Sequence, residues 1–382
     1  MLMNDIAAIK MPKWGLSMEE GTIVTWRKKP GDAIRKGEDL VDIETAKITN
    51  VWESPAEGTL RRLVAGEGET SPVGALIAVV ADASVPESEI DAFVADFQSR
   101  FSPGEADADD ANAPRLEMIE AGGRVLRIGR AGAGADDPVV LLHGYSGDLT
   151  NWMFCMGALA VRGPVLAIDL PGHGGSTKDV GDGSLASLAR AALEAMDGAG
   201  VEGAHLVGHS LGAAVAARIA IDHPEKVRSL TLIAPAYMPG GMLAEDFLTG
   251  IAEGRRARNL KPWLEMLVAD PSALSKGMVD DMVKMKRLDG VEEALCMLRD
   301  RMIAGDDART LQSDLARIGR ALVIASKADR IVGMPDEALL PVGLRVVWID
   351  GVGHMPHLEK PDEVNALILE EIGRPTGCAA KS

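Results

Sequence analysis

The chain reads as multi-domain: a small all-β barrel over residues 1–82, then a mostly parallel α/β sheet flanked by helices over 115–375. A short helix and an acidic flexible linker at 83–114 separate them, and a helical lid is expected at about 237–307. Three observations predict this. An internal repeat runs through the first 82 residues, strand-like apolar runs alternate with helical stretches after 115, and a small, acidic, proline-bounded segment lies between.

The repeat is the clearest signal. Gly21, Thr22, Gly31 and Gly37 recur as Gly58, Thr59, Gly68 and Gly74 at a constant offset of 37, and Asp32 maps to Glu69. Ile23, Trp26 and Leu40 map to Leu60, Leu63 and Ile77. Two like halves of short strands and glycine turns predict a barrel with approximate two-fold symmetry. Between two short alternating runs lies Asp42-Ile43-Glu44-Thr45-Ala46-Lys47-Ile48-Thr49-Asn50, which places Lys47 at a hairpin tip, where a lysine can carry a tethered cofactor.

Residues 86–101 place Ile90, Phe93, Val94, Phe97 and Phe101 at helical spacing. Such a stripe predicts packing on a neighbouring domain, with docking of a partner protein as the alternative. The thirteen residues Ser102–Pro114 have linker composition and span roughly 20 Å as a coil, on the order of 40 Å when extended.

The bulk numbers exclude several classes. A net charge of -17 argues against a phosphate-backbone binder, which needs clustered Lys and Arg. Cys155, Cys296 and Cys378 are distant and odd in number, so they form no disulfide framework. The longest apolar run, Ala75–Ala81, is too short to span a bilayer, and the N-terminus lacks a signal-peptide pattern. No His/Cys/Asp/Glu cluster has metal-ligand spacing, so no metal is expected. A cytoplasmic protein, bound to neither nucleic acid nor membrane, is the expectation.

In the second domain Val139–Leu142, Val165–Ile168, Ala204–Val207, Leu230–Ile233, Leu322–Ile324 and Val346–Ile349 are continuous apolar runs, as strands buried on both faces should be. The stretch from Tyr237 to Asp307 is helical in pattern and Met-rich, which predicts a lid.

Gly208-His209-Ser210-Leu211-Gly212 is a G-x-S-x-G between a strand and a helix, which lifts the Ser210 hydroxyl out of the sheet. A serine nucleophile needs a base, and the base an orienting acid. His354 follows the last strand, and Asp329 follows the strand before it, where open α/β sheets place their sites. His357 and Asp350 are the reserve candidates. His143-Gly144-Tyr145 follows the first strand of the alternation, so the amides of Tyr145 and Leu211 are the expected oxyanion donors. The loop Asp169–Gly174 reads as structural.

These landmarks, in this order, make residues 115–373 resemble the α/β-hydrolase superfamily. Ala325-Ser326 stands where that family often has Trp-Gly, and Gly333 stands where a proline often follows the acid. The first 82 residues resemble a lipoyl domain, with Lys47 at the position that carries lipoate; the acidic residue usual before it is Ala46 here. Biotin carriers flank their lysine with methionines, whereas Lys47 is flanked by Ala46 and Ile48.

A lipoyl domain fused to an α/β-hydrolase domain is similar to one known group, the dihydrolipoamide acetyltransferase subunits of acetoin dehydrogenase complexes. That resemblance implies an acyltransferase moving acetyl from lipoyl-Lys47 to coenzyme A through Ser210, His354 and Asp329. It implies a thiamin-diphosphate-dependent acetoin-cleaving enzyme and dihydrolipoamide dehydrogenase as partners, and a homo-oligomer. The H-x-x-x-D-G motif of the commoner acyltransferase domain is absent. A lipoyl-tethered serine hydrolase, cleaving an ester or thioester, is the alternative, and a scaffold with an idle triad is a third.

Overall fold

The computed structural model describes residues 6–14, 18–45, 48–102 and 115–374. Lys47 and the linker at 103–114 lie outside the described residues. The chain divides into two compact units, residues 1–110 with 273–278, and the remainder.

Among the described residues the first unit holds eight strands: β1 (Ala7–Lys10), β2 (Glu20–Trp26), β3 (Ala33–Ile34), β4 (Asp39–Glu44), β5 (Thr49–Glu53), β6 (Gly58–Leu63), β7 (Thr70–Pro72) and β8 (Leu76–Ala81). They form two four-stranded sheets, ordered β1-β8-β6-β3 and β5-β4-β2-β7. The repeat explains this arrangement. Shifting β2, β3 and β4 by the offset of 37 gives β6, β7 and β8, and the same shift carries one sheet order onto the other. Even the turn chemistry repeats. Asp32 accepts from the Lys29 amide at 2.8 Å, and Glu69 from the Gly66 amide at 2.9 Å. Gly31 N–H donates to Leu60 O, and Gly68 N–H to Ile23 O. Gly31 and Gly68 both have positive φ, +99° and +82°, where a side chain would be strained.

Between the sheets lies a core of Ile9, Met11, Ile23, Leu40, Ile43, Leu60, Ile77 and Val80. The apolar run around β8 is buried on both faces for a second reason. Ile77, Ala78 and Val80 face the barrel core, whereas Leu76, Val79 and Ala81 pack with Ile90 of α1 (Glu87–Arg100). Arg61 and Arg62 pair with Glu87 at 2.6 and 2.9 Å, and Arg62 also reaches Asp91. The amphipathic helix thus covers the outer face of its own barrel.

The second unit is built on an eight-stranded sheet. Its strands are β9 (Arg115–Ala121), β10 (Arg124–Ala131), β11 (Val139–Leu142), β12 (Val165–Ile168), β13 (Ala204–His209), β14 (Val227–Ile233), β15 (Ala321–Ala325) and β16 (Leu344–Trp348), in the order β16-β15-β14-β13-β11-β12-β10-β9. From β12 to β16 all neighbours are parallel; β9 and β10 form an antiparallel hairpin at one edge. The six predicted apolar runs are the six parallel strands. The β9–β10 hairpin was not anticipated, because charged residues interrupt both strands and β9 is largely exposed, leaving no apolar run.

Helices α2 (Met153–Ala160), α3 (Leu185–Gly198) and α4 (Leu211–Asp222) connect successive strands up to β14. Between β14 and β15 stand α5 (Glu245–Glu253), α6 (Ala257–Leu264), α7 (Lys276–Met285), α8 (Val291–Ala304) and α9 (Asp306–Asp314), with no strand among the described residues there. Met282 and Met302 of this insertion are buried, so part of its methionine content packs its interior, while Met242 and Met297 remain exposed. After β16 come α10 (Pro356–Glu359) and α11 (Pro361–Gly373).

Candidate active site

Ser210 stands between β13 and α4 with φ +53° and ψ -115°. A non-glycine residue there is strained, and the surroundings must hold it. The Ser210 amide donates to Ile233 O at 2.9 Å, and its carbonyl accepts from Ala213 at 3.1 Å and Ala236 at 3.2 Å. Two glycines make room for the turn. A Cβ on Gly208 would lie 2.3 Å from Gly212 O, and one on Gly212 would lie 2.2 Å from Leu142 O. Both clashes are with backbone, so no rotamer change relieves them.

The loop after β11 runs against this turn. A Cβ on Gly144 would sit 3.0 Å from Ser210 Cβ, so glycine lets the loop approach the serine. Two buried histidines set the loop's shape. His143 Nε2 accepts from the Leu170 amide at 3.0 Å, which leaves Nδ1 as the donor to Gly144 O at 2.8 Å. His173 Nε2 accepts from the Ser146 amide at 3.1 Å, while its Nδ1 donates to Pro171 O at 3.0 Å. Burial, with His143 nearby, pushes the His173 imidazole down to about 3, so it stays neutral and can accept. The Tyr145 ring is anchored from its hydroxyl to Leu295 O at 2.9 Å. Leu211 is the first residue of α4, where amides have no intrahelical acceptor.

His354 and Asp329 are brought together. His354 Nδ1 donates to Asp329 Oδ2 at 2.8 Å, and both side chains are buried. Asp329 Oδ1 accepts from the Ile331 amide at 2.8 Å and the Val332 amide at 3.1 Å. Burial pushes this carboxyl up, but the His354 ring and these two amides outweigh it, so its pKa lies below the ordinary value. Asp350, the reserve acid, is exposed. His357 lies in α10 with its ring 4.7 Å from Trp152 and 4.5 Å from His209, centroid to centroid. Burial holds it neutral, at about 3.

Three contributors escaped the sequence reading. His209, next to Ser210, donates from Nε2 to the His354 carbonyl at 2.8 Å, and the two rings lie 4.7 Å apart. The turn that carries the serine is thereby tied to the loop that carries the histidine. Ser326 donates to Val352 O, linking the Asp329 loop to the same segment. Glu359 accepts from the Gly353 amide at 2.7 Å and the Ala269 amide at 2.8 Å, and the His354 amide donates to Leu267 O at 2.8 Å. The helical insertion is thus bonded directly to the histidine loop. A serine three residues before an acid, or a glutamate five after a histidine, carries no signal that it bridges loops distant in sequence.

Lys47 lies outside the described residues, but its hairpin is defined on both sides. The β4–β5 ladder extends to Glu44 opposite Thr49, and Thr45 bonds Ile48 through its amide at 3.0 Å and its hydroxyl at 2.8 Å. Among the described residues no group of side chains is suited to hold a metal ion, and no helix is long and apolar enough to cross a membrane.

Two family models match the chain, one described as biotin-requiring enzyme over residues 7–80 and one as the alpha/beta hydrolase family over 139–367. Among solved structures, the 2-hydroxy-6-oxo-6-phenylhexa-2,4-dienoate hydrolase of Rhodococcus sp. strain RHA1 is 24% identical with a TM-score of 0.61, covering 68% of this chain and 99% of that one. That likeness shows the fold of the second unit. Two relatives run nearly end to end. The dihydrolipoyllysine-residue acetyltransferase component of the acetoin cleaving system of Pseudomonas putida is 42% identical over 96% of this chain and 98% of its own length. Its counterpart from Cupriavidus necator is 38% identical over 96% and 98%. With a lipoyl-type barrel, an α/β-hydrolase domain and relatives that share both in the same order, the chain belongs to the family of dihydrolipoyllysine-residue acetyltransferase components of acetoin cleaving systems.

Proposed function

We propose that this chain is the acetyltransferase of an acetoin-cleaving complex, passing an acetyl group from lipoyl-Lys47 to coenzyme A at Ser210. One observation carries the reading: a strained serine turn, a neighbouring histidine–aspartate pair and a lipoyl-type hairpin occur on one chain that matches such an acetyltransferase over 96% of its length.

Lipoate attached to Lys47 would supply a mobile thioester carrier. The described hairpin suits that group, since a rigid two-sheet core leads up to the lysine on both sides. Tethering raises the carrier's local concentration to about the mM range, so weak docking suffices. In the second unit His354 is the base. Asp329 holds its proton on Nδ1, so Nε2 is free to take the Ser210 proton as Oγ attacks the acyl carbon. The amides of Tyr145 and Leu211 stabilise the developing oxyanion. His354 returns the proton to the departing sulfur, then takes the proton of the coenzyme A thiol as that sulfur attacks the acyl carbon and hands it to the departing Ser210 Oγ, which restores the resting site. The insertion, bonded to the histidine loop, would serve to limit water, which would otherwise hydrolyse an acyl-serine.

In this reading a thiamin-diphosphate-dependent acetoin-cleaving enzyme loads the carrier, dihydrolipoamide dehydrogenase reoxidises it, and several copies of this chain assemble in the cytoplasm. A hydrolase reading is favoured only by the fold of the second unit. Chemically acetylated dihydrolipoamide separates the two: acetyl-coenzyme A formed in the presence of coenzyme A supports transfer, free acetate alone supports hydrolysis, and neither leaves an idle scaffold.

A further inference from the structure

The second unit carries a short run of positive charge at the start of α6. Residues 254–264 contain Arg255, Arg256, Arg258 and Lys261 and no Asp or Glu, in a chain whose net charge is -17. All four cations are exposed. Arg255 is committed to Glu292 at 2.7 Å and Lys261 lies 3.7 Å from Glu265, but no carboxylate among the described residues pairs with Arg256 or Arg258. These two flank the start of α6, where unbonded amides and the helix dipole add to the positive potential.

The patch is linked to the reaction centre. Three residues past the end of α6, Leu267 O accepts the His354 amide at 2.8 Å, and Val268 O accepts from Arg330 at 3.0 Å, next to Asp329. Helix α6 is about 12 Å long. The cations therefore stand one short helix away from the segment bonded to the histidine, at a distance from the chemistry rather than in it. A substrate that has its reacting sulfur at one end of a long arm and its phosphates at the other matches that separation. Coenzyme A is built so: thiol, pantetheine arm, diphosphate and ribose 3′-phosphate.

We propose that Arg256 and Arg258, with the N-terminus of α6, bind the phosphates at the nucleotide end of coenzyme A. This rests on the transferase reading and names the acceptor's recognition site within it. The test uses the full lipoylated chain carrying Arg256→Ala and Arg258→Ala together. KM for coenzyme A should rise about tenfold, as expected for losing two exposed charge contacts, with kcat nearly unchanged. KM for pantetheine, which lacks the phosphates, should stay the same. Adenosine 3′,5′-bisphosphate should compete with coenzyme A on the unaltered protein and far less on the variant. Rising ionic strength should weaken coenzyme A but not pantetheine. An unchanged KM for coenzyme A overturns the proposal, as does an equal rise for pantetheine. Slower transfer from the tethered barrel with an unchanged coenzyme A KM also overturns it, in favour of a protein-docking face. Failure of the transferase reading looks different: the unaltered protein would release acetate and form no acetyl-coenzyme A, while direct titration with the bisphosphate would still read the site.

Discussion

Asp329→Asn replaces a single carboxylate oxygen by NH2 and should remove most of the activity. In the native site Oδ1 takes the Ile331 and Val332 amides at 2.8 and 3.1 Å, and Oδ2 takes the His354 Nδ1 proton at 2.8 Å. An asparagine must keep its carbonyl toward the two amides, since its NH2 cannot accept from them. Its NH2 then faces His354 Nδ1, which can only accept, so the ring proton moves to Nε2. Under the proposed mechanism that is the wrong tautomer for a base serving Ser210. The expected loss in kcat is about 10³–10⁴, or ~4–5.5 kcal/mol of barrier. The assay is acetyl-coenzyme A formation from acetyl-dihydrolipoamide, with Asp350→Asn as the control, expected to stay within about twofold because that side chain is solvated. Stability gives an independent readout. The folded carboxyl lies below its ordinary value, so its stabilising contribution is present above the unfolded pKa and is lost as pH falls through the folded one. The stability gap between the native protein and the variant should therefore be full at pH 7 and shrink below about pH 4. A kcat loss under about tenfold, or an equal loss for Asp350→Asn, would refute the assignment.

Three further outcomes follow from the geometry. Gly212→Ala puts a Cβ 2.2 Å from a backbone carbonyl and should cost about 3 kcal/mol or more in denaturant unfolding; a midpoint within error of the native protein would show that the turn can relax. His209→Ala removes the 2.8 Å bond to the His354 carbonyl and a buried ring, and should lower both stability, by about 2–4 kcal/mol, and kcat, while leaving KM for coenzyme A in place. Unaltered kcat in a folded His209→Ala protein would show that His354 is held by other bonds. Lys47→Arg should abolish lipoate attachment, seen by intact mass, and tethered turnover with it, while free acetyl-dihydrolipoamide is still processed at the native rate.

The barrel was legible because its signal is repeated. The turn carboxylates Asp32 and Glu69 and the positive-φ glycines Gly31 with Gly68 and Gly37 with Gly74 recur at one spacing, and the two sheets follow from folding the same pattern twice. The parallel strands were legible because burial on both faces leaves unbroken apolar runs. The β9–β10 hairpin was not, because an edge ribbon with an exposed strand alternates charge with apolar residues and resembles a loop. Within the site, Ser210, His354 and Asp329 could be placed by their positions at strand ends. The bonds that orient them could not. His209 reaches 145 residues along the chain to the His354 carbonyl, and Glu359 spans 90 to Ala269; only the folded sheet makes these neighbours. His357 illustrates the converse: it stands three residues from His354, yet the fold packs its ring, tilted, between Trp152 and His209.

The central claim is that acetyl carried by the barrel passes through Ser210 to a thiol. It is tested by reducing the lipoyl group on Lys47 to its dithiol, acetylating a thiol with labelled acetic anhydride (acetate leaving), adding coenzyme A, and following the label in the native chain and in Ser210→Ala. The label should leave the native barrel as acetyl-coenzyme A and stay on the barrel of the variant. Release as free acetate, or equal transfer by the variant, would contradict the account.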